Sequence, residues 1–366
     1  MSCIPDRSSI ERRSLDLIDR YAPPVSRSTA DDVCSRVLAD VVSQAQSSTV
    51  GGKRLRARLA LASYLCLHGE HMDAMLDLAC AIEIFQTAAL VHDDIIDDSD
   101  LRRGQPSAHR ALGNRVHSAR IGRGLGLMLG DVLATCSIDA AATASSSLCN
   151  AGLVVSSFLT MQRDVGVGQV MDLGVELTPL SEPRELVGAS LNVFRWKTAS
   201  YTTIAPLELG FLASGSWEPA DCVKAAHAIG EPLGVAFQLE DDLLDVVGSP
   251  SSTGKPVGGD IREGKRTVLL ADAIDSARPS DRQTLISIFE KRERTDEDVR
   301  TAAGIFESSG ALEKSRQRIA HLWSQAVMAI DSCRLDDTSN DLLRTSCMEF
   351  VPMMGHARKG DAEPLN

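Results

Sequence analysis

The chain has 366 residues, which is enough for one large hydrophobic core or for two domains. Hydrophobic residues make up 43% of the chain and aromatic residues only 4%, so helices are favoured over sheets. The formal net charge of −12 argues against a nucleic-acid partner.

The predicted organisation is helical from end to end. Residues 1–30 are polar and predict a short leading helix and a loop, residues 31–355 predict a single all-helical domain, and residues 356–366 predict a polar tail. Within the domain the patterns indicate a glycine turn at 47–52, a buried central helix at 73–98 and a basic connection at 101–113. Further helices are predicted near 122–144, 147–175, 184–213 and 219–248, then a loop at 248–256 and more helices from 265 to 355.

The first 19 residues are charged and contain no apolar stretch, so we do not expect them to form a signal peptide. Nine cysteines are scattered along the chain without a C-x-x-C motif, which is typical of free thiols in a reducing compartment. We therefore expect a cytoplasmic protein. No basic amphipathic helix or lipidation motif is present, so we expect at most transient membrane association.

Two aspartate clusters have the same D-D-x-x-D spacing, and each ends an apolar stretch that is predicted to be helical. In a helix, this spacing directs two or three carboxylates to one side. So much negative charge beside apolar residues requires a cation, and oxygen ligands select Mg²⁺, which commonly bridges to substrate phosphates. If the clusters face each other, they form a multi-metal diphosphate site. The clusters are Asp93, Asp94 and Asp97, and Asp241, Asp242 and Asp245.

Basic residues follow a glycine turn and both aspartate clusters, although the net charge is acidic. A lone basic residue is most often a solvated surface residue, but this combination suits a diphosphate held partly by metal and partly by cations. The residues are Lys53 and Arg56 after the turn, Arg102 and Arg103 after the first cluster, and Lys255 and Lys265 around the loop after the second.

With these motifs, the sequence resembles the polyprenyl synthetase family, the trans-isoprenyl diphosphate synthases, and most of all the geranylgeranyl diphosphate synthases. The ordered set of motifs is far more specific than any one of them. The matching segments, in the order of the family, are GGKRLR at 51–56, LVHDDIIDDSDLRRGQPSAH at 90–109, GQ at 168–169, KT at 197–198, FQLEDDLLD at 237–245 and GKPVGGDIREGKRT at 254–267.

The resemblance implies an all-α fold, an isoprenoid-synthase-type helical bundle around a deep central cavity, usually as a homodimer. It implies a prenyltransferase that condenses an allylic prenyl diphosphate with isopentenyl diphosphate, head to tail. It also implies Mg²⁺ as the cofactor, three ions with substrate bound, and Mn²⁺ as a substitute. The departing diphosphate is the expected base, so no side-chain base is assigned.

The resemblance also assigns roles to individual residues. Gln86 stands where much of the family has a histidine, so the affinity for isopentenyl diphosphate is expected to depend less on pH. The metal ligands would be Asp93, Asp94, Asp97, Asp241, Asp242 and Asp245, and the first five of them, with Lys197, would form the catalytic set. The allylic diphosphate would contact Arg102, Lys197, Thr198, Gln238, Lys255 and Lys265, and isopentenyl diphosphate would contact Lys53, Arg56, Gln86 and Arg103.

Product length is expected to depend on the helix that leads into Asp93. Ala88 and Ala89 are small, so they leave room for a growing prenyl chain. Phe85 lies about one turn deeper, and its ring is expected to form the floor of the product cavity. Elongation would then stop at twenty carbons, which gives geranylgeranyl diphosphate. If Phe85 only packs against a neighbouring helix, products of twenty-five carbons or more are expected.

Three other functions remain open at this stage. A class I terpene cyclase shares the helical fold and the first aspartate cluster, and a catalytically silent partner subunit would share the whole fold. The pair His92-Asp93 also occurs in metal phosphohydrolases, but the other histidines show no ligand spacing and the second cluster would be unexplained.

Overall fold

The computed structural model describes residues 4–22, 32–248 and 258–354. Up to residue 175 it forms seven helices and one short hairpin, in which β1 (Leu101–Arg102) pairs antiparallel with β2 (Gln105–Pro106). The helices are α1 (Arg7–Tyr21), α2 (Val33–Thr49), α3 (Leu55–Leu65), α4 (Met72–Ile96), α5 (Ala108–Arg115), α6 (Ala119–Ser145) and α7 (Ala151–Val175).

The described part of the chain after residue 175 is also helical. It includes a π-helix at Phe194–Ile204, in which the backbone is wound more widely than in an α-helix. The α-helices are α8 (Pro183–Val193), α9 (Ala205–Ser214), α10 (Pro219–Val247), α11 (Gly259–Glu263), α12 (Val268–Ser276), α13 (Pro279–Phe289), α14 (Asp296–Ser308), α15 (Ala311–Ser332) and α16 (Asp337–Met348).

The prediction of an all-α fold is confirmed, and two local predictions are corrected. The helix predicted at 184–213 is divided into α8, the π-helix and α9, because apolar spacing does not distinguish α-helical from π-helical bonding. The connection predicted at 101–113 contains the hairpin and most of α5. The polar tail and nearly all of the loop predicted at 248–256 lie outside the described residues.

The chain divides into two compact units, Met1–Thr160 with Pro206–Val223, and Met161–Ala205 with Lys224–Asn366. This division into units does not test the prediction of a single domain over residues 31–355, which stays a prediction. In the first unit, α4 packs against α1, α3 and α6, and its residues 78–84 are almost completely buried. This burial on all sides explains why the sequence of α4 is apolar around most of its circumference.

The core of the second unit contains α12, which packs against α8 and α15. Asp272 of α12 is buried and is neutralised by Lys314 and Arg318 of α15, each with a nitrogen 2.7 Å from a carboxylate oxygen. A buried carboxylate with two cationic partners satisfies the requirement that buried charges be paired.

Among the described residues, two helices are long and apolar enough to cross a membrane by length and composition alone, α4 and α6. They pack against each other in the first unit, and 67% of the most apolar window of α4 is buried. Core helices of soluble proteins pass the same test, so this finding is weak evidence for a membrane span.

Candidate active site

The first aspartate cluster lies at the C-terminal end of α4. Asp94 is buried, Asp93 is half-buried, and Asp97 caps the helix and is exposed. Asp94 Oδ1 accepts hydrogen bonds from Nη2 and Nε of Arg102, the latter at 2.9 Å. Burial raises the pKa of Asp94, and Arg102 opposes this shift. Arg102, predicted to bind the allylic diphosphate, is therefore also the counter-ion of a buried aspartate.

The hairpin places Arg103, the second of the two arginines after the first aspartate cluster, beside the glycine turn. Arg103 Nη1 donates to the carbonyl oxygens of Val50 at 2.7 Å and Gly51 at 3.2 Å. Lys53, which directly follows the turn, is exposed, and Arg56 is buried in the first turn of α3. The structure thus brings Arg103 to the turn that precedes Lys53, and the binding of isopentenyl diphosphate by these residues stays a prediction.

A buried ionic network holds this turn. Arg54 donates from Nη2 to Glu11 Oε2 at 2.9 Å and from Nη1 to Glu83 Oε2 at 3.5 Å. The same Glu11 oxygen accepts the backbone N–H of Gly51 at 2.6 Å, and Glu83 Oε1 accepts that of Ala57 at 3.0 Å. Helices α1 and α4 therefore fix both ends of the turn. These positioning carboxylates have no sequence motif of their own.

A cavity of about 470 Å³ lies in the first unit beside this region. Its lining includes Asp94, Arg102 and Arg103 together with the apolar Leu90 and Val91 of α4. Charged groups and an apolar wall in one cavity suit a ligand with an anionic head and a hydrocarbon tail.

The residues predicted to set product length lie on α4, one to three turns before the aspartates. Phe85 and Ala88 are buried, with 7% and 1% of their surfaces exposed, and Ala89 is half-buried. Gln86, predicted to contact isopentenyl diphosphate, is also half-buried.

The second aspartate cluster lies at the C-terminal end of α10. Asp241 is exposed, whereas Asp242 is buried and its Oδ1 accepts a hydrogen bond from Gln238 Nε2 at 2.9 Å. Within the described residues, Asp242 Oδ2 has no hydrogen-bond partner. Burial, followed by the negative charge of Asp260, raises the pKa of Asp242 well above its usual range. A buried carboxylate oxygen without a partner, next to further carboxylates, is the arrangement that a divalent cation would stabilise.

Asp260 of α11 is the site residue to which the sequence assigned no role, although it lies within the GKPVGGDIREGKRT segment. Burial raises its pKa to about 6; Lys265 opposes this shift, and Asp245 and Asp241 add to it. Only the fold shows that Asp260 adds a carboxylate to the second cluster.

Lys197 and Thr198 lie in the π-helix, a form that often occurs at functional sites. Thr198 Oγ1 donates to Gln238 Oε1 at 2.9 Å, so a chain of two hydrogen bonds connects Thr198 through Gln238 to Asp242. Lys197 Nζ lies 2.6 Å from Asp172 Oδ2 of α7. Two of the predicted ligands of the allylic diphosphate, Thr198 and Gln238, thereby belong to the hydrogen-bond network of the second cluster, whereas Lys197 pairs with Asp172.

The GQ segment allows α7 to approach the π-helix closely. A Cβ atom on Gly168 would lie 2.3 Å from the backbone nitrogen of Lys197, closer than real Cβ atoms come to any such atom. The glycine is therefore required by backbone packing beside Lys197.

Two further residues, Lys265 and Lys255, are predicted from the sequence to bind the allylic diphosphate. Lys265 is exposed, with its Nζ 3.0 Å from Glu263 Oε2 and 3.5 Å from Asp260 Oδ1. Lys255 lies outside the described residues. In the part of the chain that the structure describes, no three His, Cys, Asp or Glu side chains are grouped so as to hold a metal ion by themselves.

Comparison with known proteins decides the family. The family model for polyprenyl synthetase matches residues 38–306, nearly three quarters of the chain. The chain belongs to the polyprenyl synthetase family. The enzyme is therefore a prenyltransferase, and the predicted reaction class is confirmed.

The relatives and solved structures agree with this assignment. A short chain isoprenyl diphosphate synthase from Methanothermobacter thermautotrophicus is 34% identical over 72% of this chain and 75% of its own. A geranylgeranyl diphosphate synthase from Saccharolobus solfataricus is 31% identical over 70% and 73%. The crystal structure of geranylgeranyl pyrophosphate synthase from Corynebacterium glutamicum, complexed with isoprenyl diphosphate and magnesium, has a TM-score of 0.82, 31% identity and coverage of 94% and 97%.

Product length varies among the relatives. An octaprenyl diphosphate synthase from Escherichia coli is 30% identical over 76% of this chain and 80% of its own. Family membership therefore establishes a prenyl diphosphate synthase without establishing the length of its product.

Proposed function

We propose that the enzyme condenses an allylic prenyl diphosphate with isopentenyl diphosphate, head to tail and with Mg²⁺, and that its product is geranylgeranyl diphosphate. The observation that carries the proposal is the buried Asp242 carboxylate, which has an oxygen without a partner and lies beside the negative charge of Asp260. This excess of carboxylate suits a cation, and the Corynebacterium glutamicum relative was solved with magnesium and isoprenyl diphosphate.

The residues present fit Mg²⁺. Each aspartate cluster would hold Mg²⁺ with its own carboxylates, Asp93, Asp94 and Asp97 on α4 and Asp241 and Asp242 on α10, and substrate phosphates would complete the coordination. When bound, Mg²⁺ supplies positive charge that stabilises the leaving diphosphate.

The protein's own cations act on the two diphosphates. Lys197 and Lys265 bind the allylic diphosphate and stabilise the charge that develops on it as the C–O bond breaks. Lys53, Arg56 and Arg103, with the neutral Gln86, bind isopentenyl diphosphate. Its double bond attacks the allylic carbon, and the departing diphosphate accepts the proton that is lost.

Product chromatography tests the proposed product. We expect the purified chain, incubated with isopentenyl diphosphate and with dimethylallyl, geranyl or farnesyl diphosphate in turn, to stop at twenty carbons with every primer. Products of twenty-five carbons or more would contradict the proposed length but not the condensation.

The buried Phe85 ring is proposed as the floor that stops elongation. Replacing it with alanine removes that ring from α4, so products longer than twenty carbons are expected from farnesyl and isopentenyl diphosphates. Ile84→Ala is the matched control: Ile84 is also buried, but its side chain points about 100° away around the helix. An unchanged product from Phe85→Ala, or the same lengthening from both variants, would rule out Phe85 as the floor.

We also propose that the enzyme is a homodimer. Exposed apolar side chains on α6 support this, namely Ile121, Leu127 and Met128, each with 43–50% of its surface exposed. Sedimentation is expected to give about twice the 39.2 kDa of one chain, and a species of one chain at micromolar concentration would contradict the proposal.

A further inference from the structure

Asp245, the third aspartate of the second cluster, is bound to the backbone of another segment. Its Oδ1 accepts the N–H of Gly259 at 3.2 Å and its Oδ2 accepts the N–H of Asp260 at 3.0 Å. The main-chain oxygen of Asp245 accepts the N–H of Gly258 at 2.7 Å. One residue of α10 therefore holds three consecutive residues at the start of α11.

The conformation of this segment depends on close contacts. Gly258 has a φ of +79°, and a Cβ atom on it would lie 2.4 Å from Val299 Cγ1. A Cβ atom on Gly259 would lie 3.1 Å from Asp245 Oδ1. The two glycines thus allow the backbone to come close enough for both side-chain oxygens of Asp245 to accept a hydrogen bond.

The anchored segment carries two groups of the site. Asp260, about a quarter exposed, adds its charge to the cluster and is the largest electrostatic influence on Asp242. Lys265, at the other end of α11, donates its backbone N–H to the carbonyl oxygen of Asp260 at 2.9 Å, and its ammonium group lies near the Asp260 carboxylate. The position of Asp260 and Lys265 therefore depends on the segment that Asp245 holds.

We propose that Asp245 is a positioning residue, which anchors residues 258–265 and thereby places Asp260 and Lys265 at the second aspartate cluster, and that it is not a magnesium ligand. Both of its carboxylate oxygens face backbone N–H groups, whose partial positive charge opposes the approach of a cation along the same direction. The D-D-x-x-D motif then contains residues with two different roles. Asp241 and Asp242 would bind the cation, whereas Asp245 holds the segment 258–265. This inference rests on the proposed function only where it concerns magnesium and the allylic diphosphate.

Hydrogen–deuterium exchange of the metal-free protein tests the anchor without any catalytic step. In Asp245→Ala, which removes both acceptors, we expect the backbone amides of 258–265 to exchange about tenfold faster or more. Asp245→Asn keeps one carbonyl acceptor and is expected to give an intermediate rate. Asp241→Asn is the matched control, since it removes a charge from the same cluster without touching the anchor, and its exchange should equal that of the wild type.

Steady-state kinetics separates an anchor from a metal ligand. Asp245→Asn is expected to raise the KM for farnesyl diphosphate about tenfold and to leave the half-saturating Mg²⁺ concentration unchanged, whereas Asp241→Asn should raise the Mg²⁺ requirement. Unchanged exchange in Asp245→Ala, or a Mg²⁺ requirement that rises equally in Asp245→Asn and Asp241→Asn, would overturn the proposal. If the wild type did not condense its substrates, the proposed function would fail, and the exchange result would still decide the anchor.

Discussion

Asp242→Asn is expected to remove nearly all condensation activity while making the metal-free protein more stable. The substitution removes a charge from a buried site where Asp260 is already a like charge, and it keeps the acceptor for Gln238. It also removes a proposed Mg²⁺ ligand, so we expect kcat to fall on the order of a hundredfold to a thousandfold. The melting temperature of the metal-free protein should rise by about 2–4 °C, which corresponds to about 1 kcal/mol.

The pH dependence of this stability gain identifies its cause. The folded protein raises the pKa of Asp242 well above its usual value and that of Asp260 to about 6, so both hold protons that the unfolded chain has released. The stability that Asp260 contributes is therefore present below about pH 4 and is lost as the pH rises through about 6, and the stability that Asp242 contributes is lost as the pH rises through its own raised pKa. The difference in melting temperature between Asp242→Asn and the wild type should grow from pH 4 to pH 7 without metal, and Mg²⁺ with diphosphate should reduce it. Equal melting temperatures at every pH would contradict the proposed charge repulsion.

Among substitutions of the basic residues that follow the glycine turn, Arg54→Met is expected to cause the largest loss of stability. Arg54 is 3% exposed and neutralises Glu83, which is 2% exposed. Removing the arginine leaves a buried carboxylate without its counter-ion, a change that typically costs about 3–5 kcal/mol. Thermal unfolding should show a clearly lower melting temperature, and adding Glu83→Gln to the same chain should recover part of the loss.

The neighbouring lysine provides the control for Arg54. Lys53 is exposed, so Lys53→Ala should leave the melting temperature unchanged and raise the KM for isopentenyl diphosphate about tenfold. An unchanged melting temperature in Arg54→Met would show that the buried network does not hold the turn.

Adjacent residues of one motif show how far the sequence could predict this site. The sequence predicted helices that end in aspartates, basic residues near them and the family's reaction, because these follow from local spacing and ordered motifs. It could not separate the exposed Lys53 from the buried Arg54, since burial depends on α1 and α4 from distant parts of the chain.

The second cluster shows the same limit. Its spacing predicts that Asp241, Asp242 and Asp245 lie on or near one side of a helix, without distinguishing their roles. In the fold Asp241 is exposed, Asp242 is buried and Asp245 is hydrogen-bonded to the backbone at the start of α11. Asp260 joins the cluster through that long-range contact, so the D-D-x-x-D spacing could not identify it, although it lies within the GKPVGGDIREGKRT segment.

Incubating the purified wild-type chain with Mg²⁺, farnesyl diphosphate and radiolabelled isopentenyl diphosphate tests the metal-dependent condensation most directly. We expect one labelled unit to be added, giving a labelled twenty-carbon diphosphate, with the activity lost on chelation and restored by Mg²⁺. Release of diphosphate without labelled prenyl product, or condensation that is unaffected by chelation, would contradict the assignment of the two aspartate clusters to a metal-dependent condensation.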